Sequence, residues 1–114
     1  MIKNILSAKG YNVDIANDAV EGLERINHKN YDIIISDIEM PHMTGFEFAE
    51  KIKSYDMTSV IPVILISSLN SDEYKNKAKQ CGTDMFISKH DFNQEYFLRS
   101  VQYLIKKRKR NSNV

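Results

Sequence analysis

Asp37, Ser67 and Lys89 each close an apolar run. Tyr31-Asp32-Ile33-Ile34-Ile35-Ser36 leads into Asp37, Val60-Ile61-Pro62-Val63-Ile64-Leu65-Ile66 into Ser67, and Met85-Phe86-Ile87-Ser88 into Lys89. If the three runs are parallel strands of one sheet, a carboxylate, a hydroxyl and an ammonium gather at its carboxyl edge. Open α/β sheets bind ligands at that edge. The three groups suit one task, carrying a phosphoryl group on Asp37. A carboxylate can accept it as an acyl phosphate, a lysine offers a compact positive charge beside it, and a hydroxyl can hydrogen-bond one of its oxygens. Taken singly, Asp37 reads as a turn former or helix cap, Ser67 as an ordinary strand end and Lys89 as a solvated edge residue. Their shared placement is what points to chemistry.

The elements that must position them follow from changes of apolar period. Asp37 and Ser67 stand 30 positions apart, and Ser67 and Lys89 22 apart. Each gap holds one helix, one strand and their loops, as successive βα units require. Ile2, Ile5 and Leu6 share a helical face that Gly10 ends, and Val13 and Ile15 alternate as a short strand. Asp18 with Glu21, and Thr44 with Glu47, form capping-box signatures. The first opens a helix bearing Leu23 and Ile26, the second a helix bearing Phe48, Ala49 and Ile52. Ser71 to Gln80 reads as a helix with Tyr74, Ala78 and Cys81 on its apolar side, closed by Gly82. Asp91 with Gln94 opens the last helix, where Phe97, Val101, Leu104 and Ile105 fall at amphipathic spacing. The expectation is four strands and five helices, an α/β chain that opens on a helix.

Bulk properties narrow the function classes. The 114 residues suffice for one domain, with 42% hydrophobic and 27% charged residues as in ordinary globular chains. A net charge of +1 argues against whole-domain binding to nucleic acid or membrane. No apolar run approaches the ~20 residues that span a bilayer, and no signal-peptide pattern is present. The single cysteine, Cys81, reads as a buried small hydrophobe in a reducing cytoplasm. Neither His28 nor His42 has metal-ligand spacing, and Gly45 and Gly82 make no nucleotide fingerprint. Lys106-Lys107-Arg108-Lys109-Arg110 reads as a fraying, solvated helix end whose charges suit the dipole. No recognition-helix module follows it, so direct nucleic-acid binding is not expected.

Asp37-Ile38-Glu39-Met40-Pro41 with Met43-Thr44-Gly45 resembles the phosphoacceptor loop of receiver domains of two-component response regulators. Pro62 to Ser67 resembles their fourth strand with its switch hydroxyl, and Gly82 to Lys89 their fifth strand with its lysine. The likeness runs from Ile2 to about Lys106. It implies a flavodoxin-like (CheY-like) doubly wound parallel sheet over residues 1–105, with 106–114 a basic polar tail. It implies that Asp37 is the phosphoacceptor, Lys89 its charge partner, Ser67 the switch hydroxyl and Phe86 the switch aromatic. Asp37 and the Glu39 backbone carbonyl would be ligands of Mg²⁺. A sensor histidine kinase or phosphotransfer protein would be the donor, and an output protein or domain would read the result. Such a receiver is a switch and not an enzyme in the usual sense.

Two departures stand out. His90 follows Lys89 where the family usually has Pro, often cis; a cis bond before a non-proline residue costs about 2.5–4 kcal/mol, so a trans bond is expected. The family's first strand, with its Mg²⁺-binding acidic pair, is missing from this chain, and Asp14 and Asp18 match other parts of the pattern. In the family's 2-1-3-4-5 order that strand is central, so a gap should lie between Val13-Ile15 and Ile33-Ile35. The chain could be a fragment, its second strand could pair directly with the third, or another copy could fill the gap by strand exchange. Weak Mg²⁺ binding and weak phosphoacceptance are expected. The first rival reading is a pseudo-receiver, an interaction or dimerisation module without phosphotransfer. The second is an aspartate-based phosphatase with Glu39 as general acid, which the Met40-Pro41 that follows does not support.

Overall fold

The computed structural model describes residues 2–112. Three parallel strands, β1 (Ile34–Asp37), β2 (Val63–Ser67) and β3 (Met85–Ser88), form a sheet in the order β1-β2-β3. Ile35 lies opposite Ile64, and Leu65 opposite Phe86. The helices are α1 (Ile2–Ala8), α2 (Ala19–His28), α3 (Gly45–Ser54), α4 (Asp56–Ser59), α5 (Asp72–Gln80) and α6 (Gln94–Ser112). A 3-10 turn spans Lys89–Asp91.

Both faces of the sheet are covered, so β2 is buried at every position, as an interior parallel strand should be. Its side chains alternate between two cores. Val63 and Leu65 pack with Ala19 of α2, Phe48, Ala49 and Ile52 of α3, and Ala78 of α5. Ile64 and Ile66 pack with Leu6 of α1 and with Phe97, Val101 and Leu104 of α6. The periodic helical positions read from the sequence are therefore buried or half-buried.

Helix ends are set by local chemistry. The Thr44 hydroxyl accepts from the Glu47 N–H, and the Glu47 carboxylate accepts from the Thr44 N–H, completing the expected box. At α2 the Asp18 carboxylate accepts from the Glu21 N–H at 2.8 Å, but Glu21 reaches back to the N–H of Asn17 instead. Gly10 and Gly82 adopt positive φ after α1 and α5.

Several expectations change. Residues 11–16 are not part of the sheet among the described residues, so the strand at Val13–Ile15 does not form. Direct pairing with β1 is also excluded for them. Alternation can extend a segment, but a strand needs a neighbour within hydrogen-bonding reach. Instead, a groove of about 360 Å³ lies along β1, bounded by Asp14, Ala16, Ile33, Ile35 and Phe48. A one-turn helix, α4, appears where none was expected; the Tyr55 carbonyl accepts from both Thr58 and Ser59 N–H groups. Asn93 caps α6 in place of Asp91, its side chain accepting from the Tyr96 N–H at 2.9 Å. The 3-10 turn has already taken Asp91. The basic run does not fray: α6 continues through it to Ser112. Arg108 anchors it by donating to the Tyr31 carbonyl at 2.6 Å. The polar end beyond Ser112 lies outside the described residues.

Candidate functional site

The carboxyl ends of the three strands bring the expected residues to one rim. Asp37 is the last residue of β1, Ser67 the last of β2, and Lys89 follows β3 directly. Asp37 Oδ1 and Lys89 Nζ are 3.4 Å apart, each side chain 53% exposed. That exposure decides what the pair is for. Solvent-exposed ion pairs contribute about 0–1 kcal/mol, so this one adds little to stability and leaves both groups open to a ligand.

Backbone geometry holds Asp37 in place. The Ile38 N–H donates to the Ile66 carbonyl at 2.9 Å, extending the β1–β2 ladder one residue beyond Asp37. The Gly45 N–H then returns to the Ile38 carbonyl at 2.9 Å, tying the start of α3 to the loop. Between them, the Met43 N–H reaches the Pro41 carbonyl at 2.8 Å and His42 sits at φ 69°. This is a tight three-residue turn of a strained kind.

Ser67 is fully buried, and its hydroxyl is engaged by residues other than Asp37 and Lys89. Its hydroxyl donates to Glu39 Oε1 at 3.0 Å and accepts from the Leu69 N–H at 3.0 Å. The same Glu39 oxygen takes the Ser68 N–H at 3.0 Å and the Ser68 hydroxyl at 2.7 Å. Burial pushes the Glu39 carboxyl up, but the Ser68 and Ser67 donors outweigh it and leave the group below the usual carboxylate range. From sequence, Glu39 is expected to lend the site only its main-chain carbonyl, with a role for its carboxylate only in the phosphatase rival. The tandem Ser67-Ser68 at the end of a buried strand was the signal that could have revealed this cluster.

Phe86 is half-buried on β3 and packs against the core on the α3 side. It also lines a second groove, of about 210 Å³, with Met85, Asp91 and Tyr96. His90 is exposed, no cis peptide is present among the described residues, and the His90 N–H donates to the Ser88 hydroxyl at 3.3 Å.

The residues do not by themselves suit Mg²⁺. Among the described residues no group of three or more His, Cys, Asp or Glu could hold a metal ion. The expected donors reduce to the Glu39 main-chain carbonyl and the Asp37 carboxylate, and the latter faces the Lys89 ammonium. Mg²⁺ demands near-octahedral oxygen ligation, and one carboxylate beside a cation falls short of it.

The family described as the response regulator receiver domain matches residues 1–102. A gliding motility regulatory protein of Myxococcus xanthus is 32% identical over 100 residues, which is 88% of this chain and 13% of that protein. A probable transcriptional regulator, ycf29, of Porphyra purpurea is 33% identical over 111 residues, 97% of this chain and 53% of that protein. The chain thus spans about half, or less, of the length of these curated relatives. A response regulator receiver domain protein (CheY-like) from Methanospirillum hungatei has the same fold, with a TM-score of 0.86 at 28% identity over 96% of this chain and 85% of that one. The signal receiver domain of a signal transduction histidine kinase from Syntrophus aciditrophicus gives 0.85 at 28% identity, over 93% and 80%. With the family covering most of its length and receiver structures sharing its sheet and helices, this chain belongs to the response regulator receiver domains of two-component signalling.

Proposed function

We propose that this receiver carries a phosphoryl group on Asp37, with Lys89 compensating charge. The observation that supports it most is the 3.4 Å approach of Lys89 Nζ to Asp37 Oδ1 at an open strand-end rim. In the step, an Asp37 carboxylate oxygen forms a bond to phosphorus while the bond from phosphorus to the donor breaks, and the donor leaves with that electron pair. Negative charge accumulates on neighbouring oxygens, which the ammonium offsets. Ser67 is the switch hydroxyl and Phe86 the switch aromatic, relaying the change to the face around β3.

The donor is a sensor histidine kinase or a phosphotransfer protein, a reading supported by the receiver of a histidine kinase among the structural relatives. The reader is an output protein or domain. The chain acts as a cytoplasmic switch, not as an enzyme, without nucleic-acid binding of its own; no described helix is long and apolar enough to cross a membrane. Association with Mg²⁺ is millimolar or weaker, since the described donors are few.

Incubation with acetyl phosphate and Mg²⁺, read by intact mass, tests the proposal. One phosphoryl adduct on the native chain and none on Asp37→Ala is the expected result. An adduct that persists in Asp37→Ala removes Asp37 from the role. Absence of any adduct favours the second reading, a pseudo-receiver that serves for interaction or dimerisation. The small metal donor set is the observation in its favour.

A further inference from the structure

We propose that the Glu39 carboxylate is an internal competitor of the phosphoryl group: it fills the Ser67–Ser68 donor set at rest and must leave it when Asp37 is loaded. This inference rests on the phosphoacceptor reading of Asp37.

Three donors converge on one oxygen. Glu39 Oε1 receives the Ser67 hydroxyl at 3.0 Å, the Ser68 N–H at 3.0 Å and the Ser68 hydroxyl at 2.7 Å. A serine hydroxyl has a single proton to donate. Ser67 therefore cannot fully serve Glu39 and a phosphoryl oxygen at once. Because Ser67 is fully buried at the end of β2, it cannot turn to water for another partner. The cluster is built for an anionic oxygen, and the carboxylate already supplies one.

Glu39 is also free to go. It stands two residues beyond Asp37 in the loop, and the residue is exposed, so its carboxylate can swing into water without stranding a charge. Loading Asp37 replaces a singly charged carboxylate by an acyl phosphate of about −1.5 to −2, a gain of up to about one negative charge nearby. The same event thus repels Glu39 and offers the serines a replacement oxygen. Glu39 acts as a positioning residue that holds Ser67 until the phosphoryl group claims it, and its carboxylate sets a brake on loading.

The test uses two readouts on the native chain, Glu39→Gln and Glu39→Ala. The first is the ¹H–¹⁵N spectrum, in which the Ser68 amide should move upfield in Glu39→Ala while the remaining sheet amides stay in place. The second is the rate of adduct formation with acetyl phosphate and Mg²⁺, in which Asp37 displaces acetate. Removing a charged hydrogen-bond competitor should make Glu39→Ala about fivefold to tenfold faster than the native chain, with Glu39→Gln between them. An unmoved Ser68 amide overturns the proposal, because the carboxylate then does not hold the serines. A moved amide with equal loading rates also overturns it, while leaving Asp37 as acceptor. No adduct on any of the three chains, with the amide moved, defeats the phosphoacceptor reading itself and the competition with it.

Discussion

Gly45 packs against the backbone of Asp37 so closely that a β-carbon at position 45 would overlap the Asp37 carbonyl oxygen and lie 2.7 Å from the Ile38 α-carbon. The first residue of α3 is thereby seated on the loop that presents the acceptor carboxylate. The crowding is against main chain, which cannot rotate away as a flexible side chain can.

Gly45→Ala should therefore destabilise the domain, although alanine is the better helix former by about 1 kcal/mol. Overpacking of this kind typically costs about 1–3 kcal/mol. Urea unfolding should show a lower midpoint with an unchanged slope. Unchanged or higher stability would mean that the loop moves aside at no cost.

Asp84 closes the other end of the sheet. Its N–H donates to the Val63 carbonyl at 2.9 Å, and its Oδ2 accepts from the Val63 N–H at 2.8 Å. Lys53 Nζ reaches the same oxygen at 3.2 Å and the Ile61 carbonyl at 2.7 Å. Val63 is fully buried, so Asp84→Ala leaves its N–H without the carboxylate. The expected loss is about 1–3 kcal/mol, and Asp84→Asn, which keeps an acceptor, should lose less. Equal losses for the two substitutions would show that the hydrogen bond to Val63 is not the cause.

What could be read from the sequence was what local chemistry encodes. Continuous apolar runs gave β1, β2 and β3, because strands buried on both faces need no alternation. Thr44 with Glu47 gave the start of α3, since both halves of that cap lie within four residues. Features that depend on distant partners were harder to read. Val13 and Ile15 alternate as a strand should, but the structure leaves Val13 half-buried and Ile15 53% exposed, so the two do not share a buried face. Both facing and pairing need a neighbouring strand, and residues 11–16 have none in the sheet. The basic run looks frayed in sequence because its anchor, the Tyr31 carbonyl, lies 77 positions away from Arg108. Glu39 meets Ser67 and Ser68 across 28 and 29 positions, so no local pattern joins its carboxylate to them.

Cys81 should be chemically quiet. Burial first, then the Glu50 carboxylate with its Oε1 3.6 Å from Sγ, pushes the thiol up to about 11. A raised thiol contributes stability that is fully present below the unfolded value, about 8.5, and is lost as pH climbs toward 11. At pH 8, alkylation by iodoacetamide should run at least roughly a hundredfold slower in the folded chain than in urea, because the thiolate is scarce and shielded. Comparable rates in the two states would show that the thiol is exposed and ordinary.

Lys89→Met separates charge from stability at the acceptor. Both partners are 53% exposed, so losing their ion pair should shift unfolding by no more than about 0.5 kcal/mol. Loading with acetyl phosphate should nevertheless fall steeply, because the carboxylate and incoming phosphoryl oxygens then crowd negative charge with no ammonium beside them. Lys89→Arg keeps the charge but replaces a compact ammonium by a broad fork, so it should restore only part of the rate. A Met variant that loads as fast as the native chain would mean that Lys89 touches Asp37 without serving the transfer. A variant that unfolds easily would show instead that the pair matters for the fold.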